Sequence, residues 1–138
     1  MNETWFNTLQ SVVFTKAKKL IQAELGTYYP EMNYTTNGQS NTNAIFPTWY
    51  LHELAGLEQG QDLTNVTVNA MMAYFRIEVF VNTAERDCRE IMATSITAMK
   101  SMGFNVAAMP IYQVNKNVIQ GVADFRRMIG AGDNDLAL

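Results

Sequence analysis

The feature that most constrains this chain is a run of two-residue alternation over residues 67–81. Met71, Ala73, Phe75, Ile77, Val79 and Val81 share one parity, and Met72, Tyr74, Arg76, Glu78 and Phe80 share the other. A helix would scatter both sets around its axis, whereas an extended strand gives each set its own face, so a long strand is predicted here. Its first face is wholly apolar and needs a cover. Its second mixes aromatic with charged side chains, so that face is expected to be partly exposed or covered by another subunit.

Two segments have the period to supply the cover. Residues 4–25 place Trp5, Phe6, Leu9, Val12, Val13, Ala17, Leu20, Ile21 and Leu25 largely at three- and four-residue steps, which predicts an amphipathic helix. Gly26 is expected to stop it in the left-handed conformation. Lys16, Lys18 and Lys19 fall in its second half, where the helix dipole favours cations. A second helix is expected to open at Asn82-Thr-Ala-Glu85 with a capping residue three positions before a glutamate. Its apolar face reads Ala84, Cys88, Ile91, Met92, Ser95, Ile96, Met99 and Met102, and Gly103 ends it.

The remaining elements are shorter. Residues 45–54 carry aromatic and branched side chains at strand density, with Pro47 tolerated near a strand start, and a polar segment with Gly56, Gly60 and Asp62 follows. Residues 106–112 and 118–129 form a predicted hairpin around Asn115-Lys116-Asn117. Residues 27–43 lack periodicity and read as a long loop with three tyrosines, Tyr28, Tyr29 and Tyr34. The order helix, loop, strand, strand, helix, strand, strand implies an α+β fold: one mainly antiparallel sheet with both helices on one face. A single domain is expected over residues 1–138, with an N-terminal helix to 26, a loop over 27–43, a sheet-and-helix core over 45–130 and a frayed tail over 131–138.

Composition narrows the function classes. Charged residues are 17% of the 138, against roughly 25% in an average globular protein, and 13 Asn and 13 Thr replace them. The net charge of −3 is spread along the chain, so no footprint for nucleic acid or anionic lipid is expected. One cysteine and one histidine provide neither a disulfide nor a multi-ligand metal site, and no cofactor is expected. The N-terminus lacks the pattern of a secretory signal, and no stretch is apolar enough for a membrane span, so a cytosolic product is expected. The sequons at Asn2, Asn33 and Asn65 are what chance supplies in a chain this rich in Asn and Thr.

Few residues are candidates for chemistry. His52 sits in a predicted strand beside Glu53, and adjacent strand residues point to opposite faces, so Glu53 cannot easily orient it. Cys88 is expected to be a buried, inert thiol. Glu85, Asp87 and Glu90 complement a helix dipole. Arg126 and Arg127 resemble an anion clamp, but on a strand they face opposite ways. Gly130-Ala-Gly132-Asp133 has no helix after it to bind a phosphate.

The stretch from Ile45 to Gly130 resembles the small tail-terminator, or tail-completion, proteins of long-tailed bacteriophages and related prophages. The resemblance lies in Phe46-Pro47-Thr48-Trp49-Tyr50, in residues 74–81 followed at once by a helix ending Met99-Lys100-Ser101-Met102-Gly103-Phe104, and in a closing strand over residues 122–130. Asp124 departs from that family's last block, which is commonly more basic and aromatic. The resemblance implies a structural virion protein rather than an enzyme, made in the host cytoplasm and carried in the tail or neck. It implies a ring, commonly a hexamer, on the last ring of the tail tube, which stops polymerisation and presents a surface to neck or head-completion proteins. Another neck, head-closure or tube subunit is the alternative within that class, and a small ligand-binding domain or enzyme built on His52 is the alternative outside it. Interface candidates are Tyr28, Tyr29 and Tyr34 from the loop, Tyr74, Arg76 and Glu78 from the long strand, and Arg126 and Arg127. The scarcity of charge suggests surfaces that neighbours cover, because a desolvated unpaired charge is costly.

Overall fold

The computed structural model describes residues 8–36, 45–61 and 68–130. Seven elements follow in order: α1 (Leu9–Leu25), β1 (Asn33–Thr35), β2 (Thr48–Gln61), β3 (Val68–Val81), α2 (Glu85–Ser101), β4 (Asn105–Asn115) and β5 (Val118–Gly130). The strands form one sheet in the order β1-β2-β3-β5-β4. All neighbours are antiparallel except β1 with β2. The chain is therefore an α+β fold with a mostly antiparallel sheet. β5 inserts between β3 and β4, so the connection through α2 spans one strand position.

The alternating segment is the third of five strands, and its parity sets the layers. Ala73, Phe75, Ile77, Val79 and Val81 are buried, facing the helices. Leu9, Val13, Ala17, Ile21 and Leu25 make a narrow buried stripe at four-residue steps down α1. Cys88, Ile91, Met92, Ser95, Ala98 and Met99 are the buried residues of α2. α1 packs on α2 and β2, and α2 packs also on β3, β5 and β4. Trp49 joins the layers: its indole Nε1 donates to Ser95 Oγ at 2.9 Å, and Ser95 Oγ donates to the Ile91 carbonyl at 2.7 Å. The rings of Phe14 and Tyr34 flank Trp49 with centroids 5.9 and 5.7 Å away. No helix of the described residues is long and apolar enough to cross a membrane.

Several local expectations are corrected. Gly26 is right-handed, at φ −58° and ψ −30°. Glycine suits the position for its small size instead, because a Cβ there would lie 2.6 Å from the Gln22 carbonyl oxygen. Turn bonds from Tyr28 and Tyr29 N–H to the Leu25 carbonyl carry the chain onward, and Pro30 disfavours further helix. Asn82 does not cap α2. The residue before the helix is the extended, exposed Ala84, with no side-chain cap, because the bend after Val81 delays the first turn by two residues. Thr83 donates to the Asp87 carboxylate instead.

The expected loop over 27–43 contains β1, which pairs with Thr48–Tyr50 in parallel, and Asn33 N–H donates to the Pro47 carbonyl at 2.9 Å. Three residues are too few to show a period, and residues 37–43 lie outside those described. Pro47, after a cis peptide bond, precedes the first residue of β2 as expected. β2 itself runs on to Gln61 through the glycines expected to interrupt it. A register shift between Leu54 and Leu57 accommodates Gly56, and Gly60 lies within regular pairing. The tail from 131 onward, Trp5, Phe6 and Asp62 also lie outside the described residues.

Gly103 does what glycine was expected to do at a helix end. Its φ is +89°, its N–H reaches the Lys100 carbonyl, and Phe104 N–H reaches that of Met99. These are the two bonds of a left-handed helix stop, with buried Phe104 as its apolar anchor. A Cβ here would also lie 2.9 Å from Arg127 Nε. Gly103→Ala is therefore expected to lower stability by about 1–3 kcal/mol, measured as a fall in the urea midpoint at unchanged slope.

Candidate functional site on the open sheet face

With both helices on one side, the opposite side of the sheet carries the second parity of every long strand. Register aligns it in rows. Tyr50, Glu78, Val122 and Ile111 make one row, and His52, Arg76, Asp124 and Ala108 the next. Leu54, Tyr74, Arg126 and Asn105 follow, and Met72 pairs with Met128 beyond them. Polar side chains at the centre of this face pair with one another. Arg76 Nε and Nη2 donate to the two carboxylate oxygens of Asp124 at 2.7 and 3.1 Å. This fork holds the Arg76 guanidinium above its ordinary range, its hydrogen bond to Asp124 outweighing burial. Gln120 Nε2 donates to Glu78 Oε1 at 2.7 Å, and Glu78 Oε2 lies 3.1 Å from His52 Nε2. With Glu78 ionised the carboxylate accepts, so Nε2 of His52 carries the proton. The imidazole stacks on Tyr50 with centroids 4.5 Å apart and planes 7° from parallel.

Four of the interface candidates thus share one surface: Tyr74, Arg76, Glu78 and Arg126. The other four lie elsewhere. Tyr28 is exposed. Tyr29 donates to Asp87 Oδ1 at 3.2 Å, tying the turn after α1 to α2, and burial first, then this bond, push its phenol up to about 12. Tyr34 packs on Trp49, with Lys18 Nζ 5.5 Å from its ring centroid, and burial raises its phenol pKa. Arg127 points to the helix side beneath Gly103. The opposite orientation of Arg126 and Arg127 follows the strand parity, so the two form no clamp.

Tyr50, His52, Gln120 and Asp124 also lie on the face but are not among the interface candidates. Their parity was visible in the sequence, but pairing needs register. Asp124, the departure from the resembled family's last block, is the partner of Arg76.

The chemistry around His52 is limited. Its neighbours are Tyr50 and Glu78, and Glu53 turns to the helix side, where its N–H donates to Gln10 Oε1 at 2.8 Å. An open cleft of about 420 Å³ among Asn82, Thr83, Val114, Lys116, Asn117 and Ile119 lies at the β4–β5 turn, away from His52. Among the described residues no group of three His, Cys, Asp or Glu side chains is placed to hold a metal ion. Cys88 is fully buried, and desolvation, more than Glu85 nearby, pushes its thiol up to about 11. A Cβ on Gly121 would meet the Tyr112 ring at 2.9 Å and Cys88 Sγ at 3.0 Å. Tyr112 in turn carries the Arg89 guanidinium 4.2 Å above its ring centroid, sealing the thiol from solvent.

Comparison with protein-family models and with curated proteins returns no match to this chain.

Two expectations follow for groups on the helix side. Native Cys88 should resist a thiol reagent at mildly alkaline pH and react fully in denaturant, because only the exposed thiolate is nucleophilic. Native-state labelling as fast as that of a free thiol contradicts the burial. Burial raises the Glu53 carboxyl pKa, so the folded state disfavours its charged form. That penalty is absent below the unfolded-state value, where the group is protonated in both states. It grows as pH rises through the window between the unfolded and folded values. Glu53→Gln should therefore raise the urea midpoint at about pH 7 and leave it nearly unchanged at about pH 4.

Proposed function

We propose that this chain is a structural subunit that assembles into a ring on the end of a bacteriophage tail tube, ends its polymerisation and offers a surface to a neck or head-completion protein. The observation that carries this reading is the exposed edge of the sheet. β4 has no charged residue, yet Met109, Ile111 and Val114 on it are 71, 63 and 65% exposed. Edge strands are guarded by charge, proline or bulges; β4 lacks the charge, and its three large apolar side chains left in water favour a covered edge. Pro110 and the register breaks between Val106 and Ile111 blunt backbone pairing there, so side chains make the contact.

A ring supplies such a cover. Its interfaces are heterologous, with one edge of each subunit against a different surface of the next, and rotation closes the circle. The sheet's far edge, β1, with exposed Tyr28 on the turn before it, is the surface left for the neighbour. A tube-matched lower rim and an unmatched upper rim then stop growth for want of a template.

The test is a tube-length assay. Purified chain added to polymerising tail-tube subunits is expected to form a ring by native mass measurement and to shorten and cap the tubes. Met109→Asp should lose both properties with unchanged circular dichroism, because it places an unpaired carboxylate in the contact. Rings that leave tube length unchanged would move the assignment to a neck or head-closure subunit. A chain that polymerises into tubes itself would be a tube protein, and a monomer with no effect on tubes overturns the proposal.

A further inference from the structure

We infer that the isolated chain binds a second copy of itself through the open sheet face, about a two-fold axis that runs along the strands between β3 and β5. Register puts opposite charges side by side at the centre of this face. Arg76 and Asp124 are directly opposite each other on these neighbouring central strands, one strand spacing apart, or about 4.8 Å. A two-fold axis between the strands exchanges β3 with β5 and keeps every row in place. Arg76 of each copy then lies over Asp124 of the other, and the two intramolecular pairs become a square of alternating charge. Arg76 remains 39% exposed at its side chain while paired, so it has unshielded surface to offer a second carboxylate.

The same operation matches the two rows on one side, and on the other it sets Glu78 over Val122 of the partner subunit, where Glu78 keeps its own bonds to His52 and Gln120. Tyr74 and Arg126 share a row on β3 and β5, so each tyrosine ring meets the partner's guanidinium, a favourable cation–π pairing. Met72 and Met128 share the next row, so methionine covers methionine. One strand further out on each side, Tyr50 of β2 lies over Ile111 of the partner subunit's β4. With His52 neutral, Arg76 and Arg126 balance Glu78 and Asp124, so the face sums to zero charge and two copies can approach without net repulsion. Sheets packed face to face settle about 10 Å apart with strands within about 30° of each other, a distance the arginine and tyrosine side chains bridge. The Arg76–Asp124 pair at its centre loses less on desolvation than two lone ions would.

This contact does not rest on the ring reading. It concerns the chain alone, without tube subunits, and centres on β3 and β5 rather than on Met109 at the β4 edge. The test uses the full chain in sedimentation or light scattering. The wild type is expected at twice the 15.6 kDa chain mass. Arg76→Glu makes both central positions negative and Asp124→Arg makes both positive, so each variant alone is expected to be monomeric. Mixed in equal amounts they should form a heterodimer, because each charge then faces its opposite across the interface. Loss of an intramolecular pair alone gives no such rescue.

Should either variant fail to fold, Met128→Glu at a 46% exposed position provides a second test. It is expected to keep the native circular dichroism and weaken dimerisation at least about tenfold, as an unpaired charge in the contact demands. A wild type that stays monomeric at its highest soluble concentration overturns the inference, as does a mixture that stays monomeric. A larger oligomer unaffected by Met128→Glu but lost with Met109→Asp also overturns it, while leaving the ring reading in place.

Discussion

The structure depends on one-sided cover of its central strand. β3 buries Ala73, Phe75, Ile77, Val79 and Val81 beneath α1 and α2, and a one-residue slip would turn that whole row to solvent. Every other strand takes its parity from this one through the ladder. Trp49 on β2 and Phe125 on β5 are fully buried on the same side, and His52, Arg76 and Asp124 share the other. Two helices are enough for one face. Among the described residues no helix covers the sheet's second face.

At the centre of the open face polar side chains bond to one another. The Arg76–Asp124 fork and the bridge of Glu78 between His52 and Gln120 join three strands across their width. Partly exposed pairs of this kind contribute little to folding, on the order of 1 kcal/mol or less each, so their greater consequence is electrostatic. With His52 neutral, two arginines and two carboxylates leave that face without net charge, among tyrosine and methionine side chains. Burying such a face in a contact costs less than burying isolated ions. The β4 edge reaches the same condition by another route, with no charge at all.

Particular residues show how far the sequence could be read. The alternation over 67–81, the four-residue stripe of α1, the hairpin of β4 and β5, and the glycine stop at Gly103 were all legible, because each is a local pattern set by backbone period or by a positive φ. Gly26 and Asn82 were misread for the opposite reason. Local rules permit a left-handed stop or a capping box there, but the turn after α1 and the bend after Val81 decided otherwise. β1 was invisible, since three residues carry no period and its pairing with Thr48–Tyr50 is a contact between distant segments. The eight interface candidates divided along the same line: parity separated Arg126 from Arg127 in advance, while nothing local separated Tyr74 from Tyr34.

The sequence by itself determined the fold class, the parity of the long strand and the absence of strong net charge, because period, turn chemistry and composition are properties of neighbouring residues. It also determined that Cys88 lies on an apolar helix face, and hence that its thiol is buried. Only the tertiary structure decided that β5 separates β3 from β4, that Asp124 meets Arg76, and that His52 meets Glu78 rather than Glu53. Those outcomes depend on strand order and register, which are set by how two helices and five strands share one core. No local pattern records that arrangement, which also put uncharged β4 at the edge of the sheet and brought Arg76 and Asp124 together on its open face.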